Sequence, residues 1–119
     1  MNRLGKFLRK LRIEQGEVLF DMAQKLGVSS AFLSAVENDK RSAPASWIDV
    51  LAKEYQLCDA QLTELSEAIG DSVKQIRMDV GNMSSSKRNC ALAFARHFDD
   101  FSDDEIERLM SILKKRRSE

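Results

Sequence analysis

A single proline and five glycines in 119 residues leave few positions that would break a helix. β-Branched residues are also few, which weighs against sheets. Two cysteines, Cys58 and Cys90, stand far apart without a metal-ligand pattern, and there is one histidine. No metal centre is therefore expected, and the cysteines read as thiols of a reducing compartment. No run approaches the ~20 apolar residues that a membrane span needs, so no membrane partner is expected. The opening stretch is basic throughout and has no apolar h-region, so it does not read as a signal peptide. Its basic amphipathic pattern suits a membrane surface or a presequence, but the capped helices that follow favour a first core helix. Net charge is missing too, since 19 Lys and Arg balance 19 Asp and Glu. A zero sum argues against nucleic acid only if the charge is evenly spread, because binding follows a local patch.

What is present is 43% apolar and 32% charged, a soluble globular composition in a length suited to one domain with an appendage. Four segments carry apolar residues at helical spacing: Leu4/Phe7/Leu8/Leu11, Leu19/Met22/Ala23/Leu26, Ala91/Phe94/Ala95/Phe98 and Ile106/Leu109/Met110/Leu113. Trp47, Ile48, Leu51, Ala52 and Tyr55 form another helical face just after Pro44. Gly16 and Gly27 end the first two helices, Ser29 caps a helix over 30–37, and Asp59 caps one beginning near Ala60. Leu62, Leu65, Ile69 and Val73 extend that last helix to about Gln75, although Gly70 weakens it.

Residues 76–80 alternate apolar and polar, which suits a short strand or a continuing helix. Gly81 to Ser86 reads as a linker, and Ser102 to Glu105 as a capping box for a final helix. The expected class is all-α: a domain of five helices over 1–69, then a linker and helical hairpin over 70–119. Such a hairpin is too small to stand alone. Its apolar face, Phe94, Phe98, Ile106, Leu109 and Leu113 with Phe101 at the turn, must pack on the first domain or on another copy. Self-association is the favoured use.

The informative stretch runs from Leu19 to Arg41. Ala23 is small enough for a tight helix crossing, Gly27 makes the turn, and Leu33 and Val36 anchor the second helix while its other face stays free. A free polar face of that width fits the major groove. The residues resemble the lambda-repressor-like helix-turn-helix family of the Cro/CI or XRE type. The features that match are Leu-Arg-x-Leu-Arg at 8–12, Met-Ala-x-x-Leu-Gly-Val at 22–28, Leu-Ser-x-Val-Glu-Asn at 33–38 and Pro44 followed by Trp47-Ile48. The resemblance covers about residues 3–69.

It implies a five-helix fold in which Ser30, Ala31, Ser34 and Ala35 face base edges. Ser29, Asn38, Lys40 and Arg41 would meet phosphates. Arg12 and Glu37 match a family ion pair joining the first helix to the recognition helix. Two departures matter. Val18 and Leu19 stand where the family has a Ser or Thr cap and a phosphate-binding Gln, and Asp39 replaces the usual glycine after the Asn. The reading face is short-chained, so a thymine methyl at Ala31 or Ala35, with DNA shape, would supply specificity.

Charge supports this placement. Residues 1–16 carry five basic residues against one acidic, and 43–80 carry three against seven. Arg3, Lys6, Arg9 and Lys10, with Lys40 and Arg41, are expected to form the footprint on DNA. The run from Lys114 to Arg117 suits a helix C-terminus or a nonspecific DNA contact. His97 has no nucleophile pattern beside it, the acids at 99–105 lack an EF-hand spacing, and no phosphate loop is evident, so neither enzyme nor cofactor is expected. The expected function is a homodimeric, sequence-specific regulator of transcription on double-stranded DNA, a repressor in a bacterial or phage cytoplasm. Two alternatives stay open: an antitoxin whose residues 76–119 bind a toxin, by strand addition at 76–80, and an interaction module that has lost DNA binding.

Overall fold

The computed structural model describes residues 1–117 and is all-α: among them are seven α-helices, one 3-10 turn and no strand. In chain order these are α1 (Arg3–Gln15), α2 (Leu19–Leu26), α3 (Ser30–Glu37), α4 (Trp47–Glu54), α5 (Asp59–Gly70), α6 (Ser85–His97) and α7 (Asp103–Arg117). The 3-10 turn, Phe98–Asp100, lies between the last two. Two compact units are separable, Met1–Ile76 and a second beginning at Arg77.

Among the described residues, every buried apolar side chain lies in the first unit. Leu4, Phe7, Leu8 and Leu11 of α1 meet Met22 and Ala23 of α2, Leu33 and Val36 of α3, Trp47 and Leu51 of α4, and Leu65, Ala68 and Ile69 of α5. Val73 packs on the edge of this core, which carries the unit past the end of α5.

Four of these helices stop in the same way. Gly16, Gly27, Asp39 and Gln56 take left-handed φ values of 67°, 70°, 62° and 49°. Each time the next amide donates back to a carbonyl in the last turn: Glu17 to Arg12, Val28 to Ala23, Lys40 to Ala35 and Leu57 to Ala52. The two glycines signal this by residue type, Asp39 only by standing where the resemblance has a glycine, and Gln56 not at all.

Four expectations are corrected. α5 ends at Gly70 rather than Gln75. Glycine is a poor helix former, and beyond it the Ser72 and Val73 amides donate to the carbonyls of Ile69 and Gly70, three residues back, with the Ser72 hydroxyl also donating to the Ile69 carbonyl. Residues 76–80 form no strand. They have no second strand to pair with in the chain, and Ile76 and Met78 stay 74% and 69% exposed. Ser85 and Ser86 belong to α6, because Ser84 is the cap: its side chain accepts from the Lys87 amide at 3.3 Å. At α5 the cap is Cys58, one residue earlier than expected, and the Gln61 side chain holds the Cys58 amide at 3.0 Å.

In the second unit the capping box forms as the sequence suggests. The Ser102 amide donates to Glu105 and the Glu105 amide to the Ser102 hydroxyl. The Ser102 amide, and then the Ser102 hydroxyl, hold the Glu105 carboxyl below the usual range. Phe94, Phe98 and Phe101 close the turn as one cluster, with ring centroids 5.1 to 5.9 Å apart.

Candidate functional site

The crossing of α2 and α3 is built from small pieces. Ala23 is 1% exposed and lets the helices approach, Gly27 turns the chain, and the Ser29 hydroxyl accepts from the Phe32 amide at 3.0 Å. Leu33 and Val36 then fix α3 in the core.

Arg12 and Glu37 come together as one bidentate ion pair. Nη1 lies 2.5 Å from Oε2 and Nη2 3.1 Å from Oε1, with both side chains under 10% exposed. Arg12 also donates toward the Met22 sulfur at 3.4 Å, so one guanidinium touches α2 and α3 at once. A buried pair of this kind orients rather than stabilises, since desolvation offsets much of the attraction.

The start of α1 docks on the end of α3. Asn2 donates its backbone amide to the Glu37 carbonyl and its side-chain amide to the Val36 carbonyl, both at 3.2 Å. Its side-chain oxygen caps α1 at Gly5. Gly5 is the close-approach residue, since a Cβ there would stand 2.5 Å from the Glu37 oxygen. Neither residue is singled out by periodicity, because a cap and a backbone contact leave no apolar signal.

The outward side of α3 and its ends carry the expected contact residues. Ser29 and Ala31 are exposed, Ser30, Ser34 and Ala35 are half-buried, and Asn38, Lys40 and Arg41 are exposed. Several have partners within the protein, Ser29 at the Phe32 amide among them. The Asn38 side-chain nitrogen donates to the Ser34 carbonyl at 2.9 Å and approaches its hydroxyl at 3.5 Å. The Arg41 guanidinium stands 5.4 Å from the centre of the Phe32 ring, which packs edge-on against Trp47. Phe32 thus places a cation beside α3, a role its half-buried position hides in the sequence.

The basic stripe of α1 divides. Arg3 pairs with Asp71 at 3.1 Å and reaches Glu67 at 4.0 Å, and Lys6 and Lys10 line the cleft between α1 and α5 with Glu14 and Glu64. These three face away from α3. Arg9 falls on the side of α1 that carries Gly5 and Arg12, the residues that meet α3.

The first turn of α2 lacks a side-chain cap, as Val18 suggests, but Asp21 holds the Val18 amide at 2.9 Å from the other side. Val18 and Phe20 remain 64% and 58% exposed there. Behind it, Glu17 pairs with Lys25 and accepts from the Tyr55 hydroxyl at 2.5 Å, tying the α1–α2 turn to the end of α4. Burial works to raise the Glu17 carboxyl, but the hydrogen bonds from Lys25 and Tyr55 and the charge of Lys25 outweigh it. Burial, then the hydrogen bond and charge of Glu17, push the Tyr55 phenol well above its ordinary 10.0. No family model matches the chain, and neither a curated protein nor a solved structure matches it.

Proposed function

We propose that the first unit is a lambda-repressor-like helix-turn-helix domain that binds double-stranded DNA through α3, and that the chain regulates transcription. It acts by binding and not by catalysis. The observation that carries this reading is the α2–turn–α3 crossing locked by Ala23, Gly27, the Ser29 cap and the Arg12–Glu37 pair. Together they hold a helix firmly while leaving one side of it outward, with Lys40 and Arg41 at its end.

Ala31, Ser30, Ser34 and Ala35 would lie against base edges. Ser29, Lys40 and Arg41, with Arg9, would lie against phosphates. Short side chains read few donors and acceptors directly, so groove shape carries much of the discrimination. Two copies on a pseudo-palindromic operator, with recognition helices about 34 Å apart, would act as a bacterial or phage repressor in the cytoplasm. Selection from random duplexes tests this: a two-fold related consensus is the expected outcome. Recovery of no shifted complex at about 50 mM salt, where backbone contacts are strong, overturns it.

A further inference from the structure

The second unit carries apolar surface with nothing over it. Among its described side chains none is buried, and Leu92, Ile112 and Leu113 are 61%, 60% and 56% exposed. Two short helices without a buried side chain do not hold their own shape in water. The charge along α7 says what covers them. Its first half carries Asp103, Asp104, Glu105 and Glu107 against Arg108 alone, and its second half Lys114, Lys115 and Arg116. That order complements the helix dipole, and it also makes α7 complementary to itself when one copy is reversed.

The register follows from helical spacing. Ile106, Leu109, Met110 and Leu113 share one stripe, and Glu107 and Lys114, two turns apart, flank it on the same side. Reversal about the midpoint between Leu109 and Met110 sets Ile106 opposite Leu113 and Leu109 opposite Met110. The same reversal brings Glu107 of one copy alongside Lys114 of the other, twice by symmetry. A parallel pair would instead carry the flank with Glu107 and Lys114 to the opposite side of the contact, so the two residues would not meet across it.

We propose that the occupant of this face is a second copy of the chain, paired through α7 in antiparallel, two-fold fashion with the Phe94 and Phe98 face of α6 completing the contact. This gives the proposed homodimer its interface and orientation, and it is tested without DNA, so its failure leaves the DNA-binding reading to its own experiment.

The experiment is sedimentation equilibrium of the full chain at low salt, with circular dichroism confirming unchanged helix content. Glu107 and Lys114 are exposed, so substituting them spares the fold. Wild type is expected to dimerise, and Glu107→Lys and Lys114→Glu each to weaken the dimer about tenfold, since each sets two like-charge pairs face to face. The double variant, which swaps the charges, is expected to return to within about threefold of wild type. A chain that is monomeric across the micromolar range overturns the proposal. Equal dimerisation of all four proteins overturns it as well, because the contact would then lie elsewhere. A double variant as weak as the single ones overturns the antiparallel register.

Discussion

A Cβ built on Gly5 would lie 2.5 Å from the main-chain oxygen of Glu37, so α1 and α3 meet backbone to backbone. That oxygen also accepts from the Asn2 amide, which keeps α3 from backing away without losing a hydrogen bond. In an ordinary helix interior, Gly→Ala gains about 0.8–1 kcal/mol. Here the sign is expected to reverse, with Gly5→Ala costing about 1–3 kcal/mol as the helices are pushed apart. Trp47, the single tryptophan and almost wholly buried, reports this directly in urea denaturation followed by fluorescence. A variant more stable than wild type would mean that the two backbones separate without strain.

The Arg12–Glu37 pair gives a second expectation. Arg12→Met leaves a carboxylate buried without its cation and is expected to cost about 3–5 kcal/mol. Joining it to Glu37→Leu removes the stranded charge, so the double variant is expected to be more stable than Arg12→Met alone. Denaturation midpoints of the four proteins of the cycle measure this coupling. Additive losses would show that the two side chains act independently.

Asp39 holds a left-handed φ of 62° with a side chain that disfavours it. Asp39→Gly is expected to stabilise the first unit by up to about 1 kcal/mol, the left-handed penalty less the added entropy of the unfolded glycine. Lys40 still donates to Ala35, so the cap itself is kept. An unchanged or lower melting temperature would refute the strain at this position.

Tyr55 is the single tyrosine, so its ionisation can be read alone by phenolate absorbance. Its raised pKa means that the folded chain keeps a proton which the unfolded chain releases near 10.0. The stabilisation is full below that pH and is lost as pH rises further toward the folded value. Glu17 works in the opposite sense. Its lowered carboxyl stabilises above the ordinary carboxylate pKa of about 4.3, and that contribution fades as pH falls through the folded value. Glu17→Gln is therefore expected to flatten the acid limb of stability and to bring the phenol back toward its ordinary titration. A phenolate signal at an ordinary pH in folded wild type would deny the Tyr55–Glu17 bond.

These contacts show where the sequence is legible. The helices of the first unit follow from apolar spacing, and the turns at Gly16 and Gly27 follow from glycine's freedom at positive φ. The same turn at Gln56 is hidden, because an ordinary residue forced into it bears no mark, and at Asp39 only the resemblance, with its usual glycine there, points to it. Alternation at 76–80 suggests a strand, yet a strand needs a neighbour, and a local pattern cannot supply one. The α1 cations look like one patch along the chain. Only the packing shows Arg3 turned to Asp71 while Arg9 stays on the α3 side, so the likeness of charge concealed a division of faces.

Arg41 gives the sharpest test of the proposed interface. Its guanidinium sits by Phe32 at the edge of α3, where the proposed reading puts a phosphate contact. Arg41→Ala is expected to weaken binding about equally on every duplex and to reduce the salt slope of log K by about one. Arg3 is engaged by Glu67 and Asp71, so Arg3→Ala is expected to leave that slope unchanged. Ala31 is exposed on the outward side of α3, and Ala31→Gln adds a long amide there. It is expected to change which duplexes are preferred, by a factor of about ten or more at one base pair, with little change in slope. Fluorescence titrations of the three variants at several salt concentrations separate these outcomes. An Arg41→Ala slope equal to wild type would remove this residue from the phosphate set, and unchanged preferences in Ala31→Gln would move base reading off this side of α3.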